Sequence, residues 1–343
     1  MSDMTIKEIA TMAGVSQAAV SRYFNDGYIS EEKRNAIKQV VDETGYRPSF
    51  QAQTLRTKKT KTIGVIIPKI DSNSIGKIVD GITKVLEEHE YRMILGISRL
   101  NPEKEIEYLS ILDDNQVEGI LILESMHHAN LRKKIAKAKV PVVVLGQQMK
   151  NCTCVYHDDY GAMKEITELC LSKGRKQIGF LGVTRQDKAV GEARWNGYHD
   201  ALKEAGIAYK KKHTKEIGFS ILDGYTSTKE LLTEFPQMNA LVCATDKIAV
   251  GAKKAIEEAG LRIPEDILLT GHGNSDLSNS VTPALTTVHF YYEECGSKAA
   301  NMLFDLLEAQ ESRVEQLQLG YRIIEQASTQ SNREECVCKK NMM

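Results

Sequence analysis

The chain lacks any apolar run long enough to cross a bilayer; its longest, residues 63–68 and 140–146, are strand-sized. The N-terminus also lacks an apolar leader segment, so the sequence predicts a cytoplasmic protein with no membrane partner. The seven cysteines are scattered and odd in number, which in a reducing compartment predicts free thiols. Cys152 with Cys154 and Cys336 with Cys338 are C-x-C pairs, but neither has the second, well-spaced pair that a structural metal site uses, so no metal is expected. Catalytic signatures are missing too: there is no G-x-x-x-x-G-K-[ST], no G-x-S-x-G and no H-E-x-x-H. The adjacent carboxylates Asp158 and Asp159 have no nucleophile or metal cluster beside them, and such loop aspartates more often cap helices or bind ligands. Together these absences predict a protein that is not an enzyme.

What is present is 343 residues, 42% hydrophobic and 27% charged, enough for two or three soluble domains. The net charge of −1 is unevenly spread. Residues 1–61 carry ten Lys and Arg against seven Asp and Glu, and the remainder is acidic. A basic head on an acidic body fits a nucleic-acid-binding module joined to something else.

The head carries the sharpest pattern. In residues 6–25, Ile6, Ile9, Ala10 and Ala13 share one helical face. Gly14 allows the reversal after them, and Ser16 is placed to cap a second helix from Gln17 to Phe24. A helix, a glycine-containing turn and a second helix make a helix-turn-helix, whose second helix enters the major groove by its first residues. Here those are Gln17 and Ala18, with Ser21 and Arg22 one turn later. Gln pairs with adenine, Ala packs on a thymine methyl, and Arg forks onto phosphate or a guanine edge. Ser30 is expected to cap a third helix from Glu31 to Thr44, closed by Gly45. Residues 49–60 are polar and basic, with Ala52 and Leu55 spaced for one short amphipathic helix.

From Thr62 onward strands and helices alternate. Strands are expected at 63–68, 92–98, 119–125 and 140–146, with helices 75–90, 102–115 and 129–138 between them. The pattern restarts with helix 160–173, strand 178–183, helices 191–205 and 225–235, strand 240–245, helix 246–260 and strand 267–272. Strand 284–290, helix 291–310 and a final strand pair near 316–325 follow. Serial βα units predict two lobes with parallel, doubly wound sheets.

At this point the motifs resemble the lactose-repressor (LacI/GalR) family of bacterial transcription factors. The resemblance is carried by TIKEIATMAGVSQAAVSRYFN, GYRPSFQAQTLRTKKTKTIGVIIP, GRKQIGFLGV, RWNGYHDAL, ALVCATDKIAVGAKKAIEEAG, PEDILLTGHGN and PALTTVHF, and it covers about residues 4–331. It implies an all-α headpiece at 1–47, a hinge helix and linker at 48–61, and a two-lobed core resembling periplasmic sugar-binding proteins. The N-terminal lobe would comprise 62–158 with 290–322 and the C-terminal lobe 159–289 with 323–331, leaving 332–343 as a disordered tail. The partners implied are near-palindromic operator DNA, a second copy of the chain and a sugar or sugar phosphate held between the lobes, with no other cofactor. DNA contacts would come from Thr5, Ser16, Gln17, Ala18, Ser21, Arg22 and Asn25, and from Ala52, Gln53 and Leu55 in the minor groove, Leu55 wedging between base pairs. Effector contacts would come from Lys69, Asp71, Ser72, Ser74, Gln147, Asp158, Arg194, Asp246 and Asn274, all near the carboxyl ends of strands, where open α/β sheets bind ligands.

Three positions depart from the family pattern: Ala19 stands where Thr is usual, Ser49 where Asn is usual, and His272-Gly273-Asn274 where an aromatic-Asp-Asp run is usual. Loss of those acids, with Lys69 and two serines before a helix N-terminus, points to an anionic effector such as a disaccharide phosphate. The loop 68–74 is similar to that of trehalose-type repressors, which respond to trehalose 6-phosphate, and suits sucrose-type regulators as well. The expected function is a DNA-binding repressor of a carbohydrate operon. The alternatives are a global carbon regulator using a protein corepressor, or a sugar-binding protein without a DNA role, which the headpiece counts against.

Overall fold

In a computed structural model, residues 4–25, 27–46, 60–114, 117–124, 129–309 and 314–330 are described. The chain divides into two compact units, Met1–Thr60 and Lys61–Met343.

Among the described residues of the first unit there are three helices: α1 (Ile6–Met12), α2 (Gln17–Tyr23) and α3 (Glu31–Thr44). Thr5 and Glu8 form a reciprocal capping box at the start of α1. Ser16 accepts from the Ala19 N–H at the start of α2. Gly14 and Gly45 both take positive φ, as the reversals after α1 and α3 require. Ser30 stands at the start of α3 but its side chain makes no capping hydrogen bond, contrary to expectation. Its carbonyl takes the Arg34 N–H instead, and Glu31 and Glu32 supply the charge in the first turn. The core is small: Ile9, Ala10, Ala19, Val20, Ile37 and Val40. Ala19, where the family pattern has Thr, is among its buried residues.

The second unit has two main sheets. The larger is six-stranded. It comprises β1 (Thr62–Ile67), β2 (Arg92–Ile97), β3 (Gly119–Leu123), β4 (Val142–Leu145), β5 (Thr153–His157) and β11 (Gln316–Leu319), in the order β11-β5-β4-β3-β1-β2, all parallel. Helices α4 (Asn73–Glu88), α5 (Pro102–Asp114) and α6 (Ala129–Ile135) connect its strands. The smaller sheet is four-stranded and parallel, in the order β7-β6-β8-β9: β6 (Ile178–Gly182), β7 (Thr214–Glu216), β8 (Ala240–Cys243) and β9 (Leu268–Thr270). With it go α7 (Asp159–Ser172), α8 (Arg194–Glu204), α9 (Ile221–Glu234), α10 (Asp246–Glu258) and the short α11 (Asp276–Ser280). The strands of both sheets are apolar runs buried on both faces, apart from edge strands such as β2, β7 and β11.

The chain passes between the lobes three times: from β5 into α7, from β10 (Thr287–Phe290) into α12 (Tyr292–Glu308), and from β11 into β12 (Tyr321–Ile324). The C-terminal strands expected as a pair do not pair with each other. β11 adds to the large sheet beside β5, and β12 pairs antiparallel with β10. The single residue Gly320 between them leaves no room for a hairpin and carries the chain across. Helix α12 packs on α4 so closely that a Cβ at Gly81 or Gly296 would collide with backbone carbonyls, those of Glu293 and Ile78 respectively. Strands β5 and β7 and helix α11 were not anticipated; β7 and α11 span three and five residues, too few for a periodic signal. The helix expected from 191 opens instead as a π-helical turn, Lys188–Ala193, that runs into α8.

Candidate functional site: a headpiece helix and an interlobe cavity

In the headpiece, the capped start of α2 presents Gln17, Ala18 and Arg22 exposed, with Ser21 half-buried, while Ala19 and Val20 face the core. This division follows from helical periodicity: one face of seven residues is spent on packing, and the other is free for a ligand. Thr5 and Ser16 are engaged as caps. The Asn25 amide donates to the Ser21 carbonyl. Ala52, Gln53 and Leu55, and with them the expected hinge helix, lie outside the described residues, as do Ser49 and the tail with Cys336 and Cys338.

Between the two sheets lies a cavity of about 480 Å³, within the roughly 300–1,000 Å³ of small-molecule sites. Of the effector residues expected from sequence, it is lined by Lys69, Ser72, Ser74, Gln147, Arg194 and Asp246. Asp71, Asp158 and Asn274 are not on its wall. Asp71 offers its carbonyl to the Lys247 ammonium at 3.0 Å. Asp158 caps α7 by accepting from the Gly161 N–H. The Asn274 amide meets His289 Nδ1 at 3.0 Å.

The centre is built around Arg194. The π-helical turn before α8 widens the backbone and brings Asp187, Ala189, Val190 and Arg194 to the wall together. Arg194 Nε donates to Asp159 Oδ1 at 2.7 Å, its Nη2 lies 2.6 Å from the same oxygen, and its Nη1 donates to the Ala244 carbonyl. Both side chains of the pair are buried. The guanidinium also lies 5.3 Å from the Phe290 ring centroid. The guanidinium is thus held in a desolvated pair with its carboxylate acceptor rather than in a surface ion pair.

Asp246 opens α10, but Thr245 is the capping residue, accepting from the Ile248 N–H. The Asp246 carboxylate instead accepts from the Ser275 N–H at 2.7 Å, the Ser275 hydroxyl at 2.8 Å and the Thr287 hydroxyl at 2.6 Å. Burial raises its pKa, and these donors oppose the shift. Asp187 accepts from the Ala189 and Val190 N–H groups, and the Gln147 amide reaches it from the other lobe at 3.5 Å. Burial pushes its carboxyl up to about 6, against those backbone donors.

Two lysines stand at the cavity near the start of α4. Lys69 rests its ammonium 4.2 Å from the Phe219 ring centroid, across the cleft. Burial lowers its pKa, Asp71 opposes this, and the charge of Lys247 lowers it further. The Ser72 and Ser74 hydroxyls are 3.0 Å apart beside them. Sequence reasoning missed His157, Asp187, Phe219, Phe290 and Tyr292 on the wall; Asp159 and His272, which it had singled out without assigning them to the effector, are there too. Their types were visible, but only the fold collects them. Among the described residues no group of three or more His, Cys, Asp or Glu is arranged to hold a metal ion, and no helix is long and apolar enough to cross a membrane.

A helix-turn-helix unit joined to a two-lobed α/β unit with an interlobe cavity defines the class of ligand-responsive DNA-binding regulators. The model for bacterial regulatory proteins of the lacI family matches residues 5–49, and that for periplasmic binding proteins and the sugar binding domain of the LacI family matches residues 60–327. The chain belongs to the LacI family of transcriptional regulators. It is 31% identical over 328 residues to the HTH-type transcriptional regulator RegA of Clostridium saccharobutylicum, covering 95% of this chain and 99% of that one. It is 30% identical over 305 residues to the sucrose operon repressor of Staphylococcus xylosus, covering 89% and 94%. In fold it is similar to the lac repressor dimer bound to operator and an anti-inducer, with a TM-score of 0.89 at 23% identity over 96% of this chain and 99% of that one.

Proposed function

We propose that this protein is a repressor of a carbohydrate-utilisation operon, released from or driven onto near-palindromic operator DNA by a disaccharide phosphate bound between its lobes. The protein acts as a homodimer, because one headpiece reads too few bases for a specific site. Gln17, Ala18, Ser21 and Arg22 meet base edges or phosphate in the major groove, Thr5, Ser16 and Asn25 support them, and Ala52, Gln53 and Leu55 act in the minor groove. Arg194 and Asp246 hold sugar hydroxyls through directed donors and acceptors. The phosphate sits at Lys69 and Lys247, with Ser72, Ser74 and the α4 N-terminus as further donors.

The observation that carries this reading is the lysine pair: Lys69 and Lys247 both line the cavity, and two ammonium groups at one ligand cavity gain most from an anion. The likeness to a sucrose operon repressor adds support for a disaccharide. Calorimetry of the full chain with sucrose, trehalose and their 6-phosphates tests it. Tight binding of a 6-phosphate that is lost in Lys69→Ala is expected. Binding of a neutral sugar unaffected by that change would make the effector a neutral disaccharide. Binding of none of the four, with operator affinity raised by a partner protein, would make this a corepressor-dependent global regulator.

A further inference from the structure

Two imidazoles on the cavity wall have no part in the reading above. His157 ends β5 in the larger lobe, and His272 follows β9 in the smaller one. They are 7% and 3% exposed, and both line the cavity. His157 Nε2 and both ring nitrogens of His272 make no well-formed hydrogen bond among the described residues. The backbone groups of Gly271 and Cys243 lie near His272 without satisfying it. The Phe290 ring stands near both, 5.1 Å from His157 and 6.2 Å from His272. A buried donor or acceptor left unmet costs about 1–3 kcal/mol; both rings line the cavity, so an occupant that either ring turns to meet would offset that cost.

The chemistry of that partner follows from charge. Burial, helped by the positive charge of Arg194, keeps both rings neutral at pH 7. A neutral imidazole offers one donor and one acceptor. A hydroxyl matches it on both counts, whereas a phosphate or carboxylate oxygen only accepts and would draw a proton onto a ring that burial keeps neutral.

We infer that His157 and His272 bind hydroxyl groups of the effector, one from each lobe. The polyhydroxylated ring therefore lies against the two imidazoles, and a charged substituent stays beside Lys69 and Lys247. This rests on the cleft being a sugar site, and it names residues that fix the orientation of the sugar there. Because the rings come from different lobes, a ligand that bonds both also favours the arrangement in which they share one wall.

The test uses the full chain with His272→Phe and His157→Phe, and calorimetry with sucrose, trehalose and their 6-phosphates. Each variant should weaken whichever sugar binds the unmodified protein by about tenfold or more. Without ligand, His272→Phe should melt no lower than the unmodified protein, since an apolar ring removes two unmet polar atoms. A merely structural histidine would give the reverse, lower melting with unchanged affinity. If a variant fails to fold, the imidazole nitrogen resonances of the unmodified protein decide: they shift on adding the bound sugar if the inference holds. A sugar that binds without moving them, or that binds both variants as tightly as the parent, overturns the inference and leaves the sugar site standing. Binding of no sugar to the unmodified protein overturns both.

Discussion

The headpiece and the interlobe cavity are built by opposite means. The headpiece is a set of local contacts: the capping box joins Thr5 and Glu8 three residues apart, and Ser16 caps onto Ala19 at the same spacing. The cavity is a set of distant ones: Arg194 meets Asp159 across 35 residues, and Asp246 meets Thr287 across 41. A module of local signals keeps its binding face whatever a neighbouring unit does. The cavity also has bonds from one lobe to the other, the Gln147 amide to Asp187 and the Lys247 ammonium to the Asp71 carbonyl, which makes its state able to depend on a ligand.

The largest expected effect therefore falls on a long-range pair. Arg194→Ala leaves Asp159 buried without its partner, which should cost about 3–5 kcal/mol and abolish sugar binding. Urea unfolding followed by calorimetry would show both. A loss below 1 kcal/mol would mean that the pair is solvated and the contrast with the headpiece overstated.

Next is the close crossing of α4 and α12. Gly296→Ala sets a methyl against the Ile78 carbonyl, and overpacking of this kind should cost about 1–3 kcal/mol. Unfolding midpoints of the variant would measure it.

The difference between the regions also explains what could be read from the sequence. Capping residues, glycines after helices and apolar runs announce themselves within a few residues, so α1, α2, α3 and most of the βα order were legible. Arg194 and Asp246 were reachable through the family resemblance. The resemblance flagged the run at His272 only as a departure, and His157 not at all, because nothing near either in sequence says that both will line one cavity. Asp158 shows the converse: its local signal as a helix cap was the role it took, not a place on the cavity wall. The C-terminal strands misled because adjacency in sequence suggested a pair, while pairing went to β5 and β10.

A smaller effect is expected in the headpiece. Ser16→Ala removes one cap and should cost about 1 kcal/mol, read as a lower melting transition of the headpiece with sugar affinity unchanged. A change in sugar affinity would break the separation drawn here.

Two buried groups in the cavity give pH dependences that run in opposite directions. Burial raises the Asp187 carboxyl from 3.8 to about 6. The folded state then keeps a proton that the unfolded chain has already released, so this contribution favours folding below the ordinary carboxyl range and is lost as pH rises through about 6. His272 is held neutral when folded, while an unfolded imidazole takes a proton below 6.5, so stability is lost as pH falls through that value. In urea titrations across this range, Asp187→Asn should remove the first slope and His272→Phe the second.

The central claim is that an effector in the cavity governs DNA binding by the headpiece. Fluorescence anisotropy of the full chain on labelled DNA from upstream of its own gene, with and without sucrose 6-phosphate and trehalose 6-phosphate, tests it most directly. Operator affinity should change by tenfold or more with one of them, an effect of about 1.4 kcal/mol, and Arg194→Ala should abolish the response in any variant that still folds. Binding of such a ligand in the cavity with operator affinity unchanged would contradict the account.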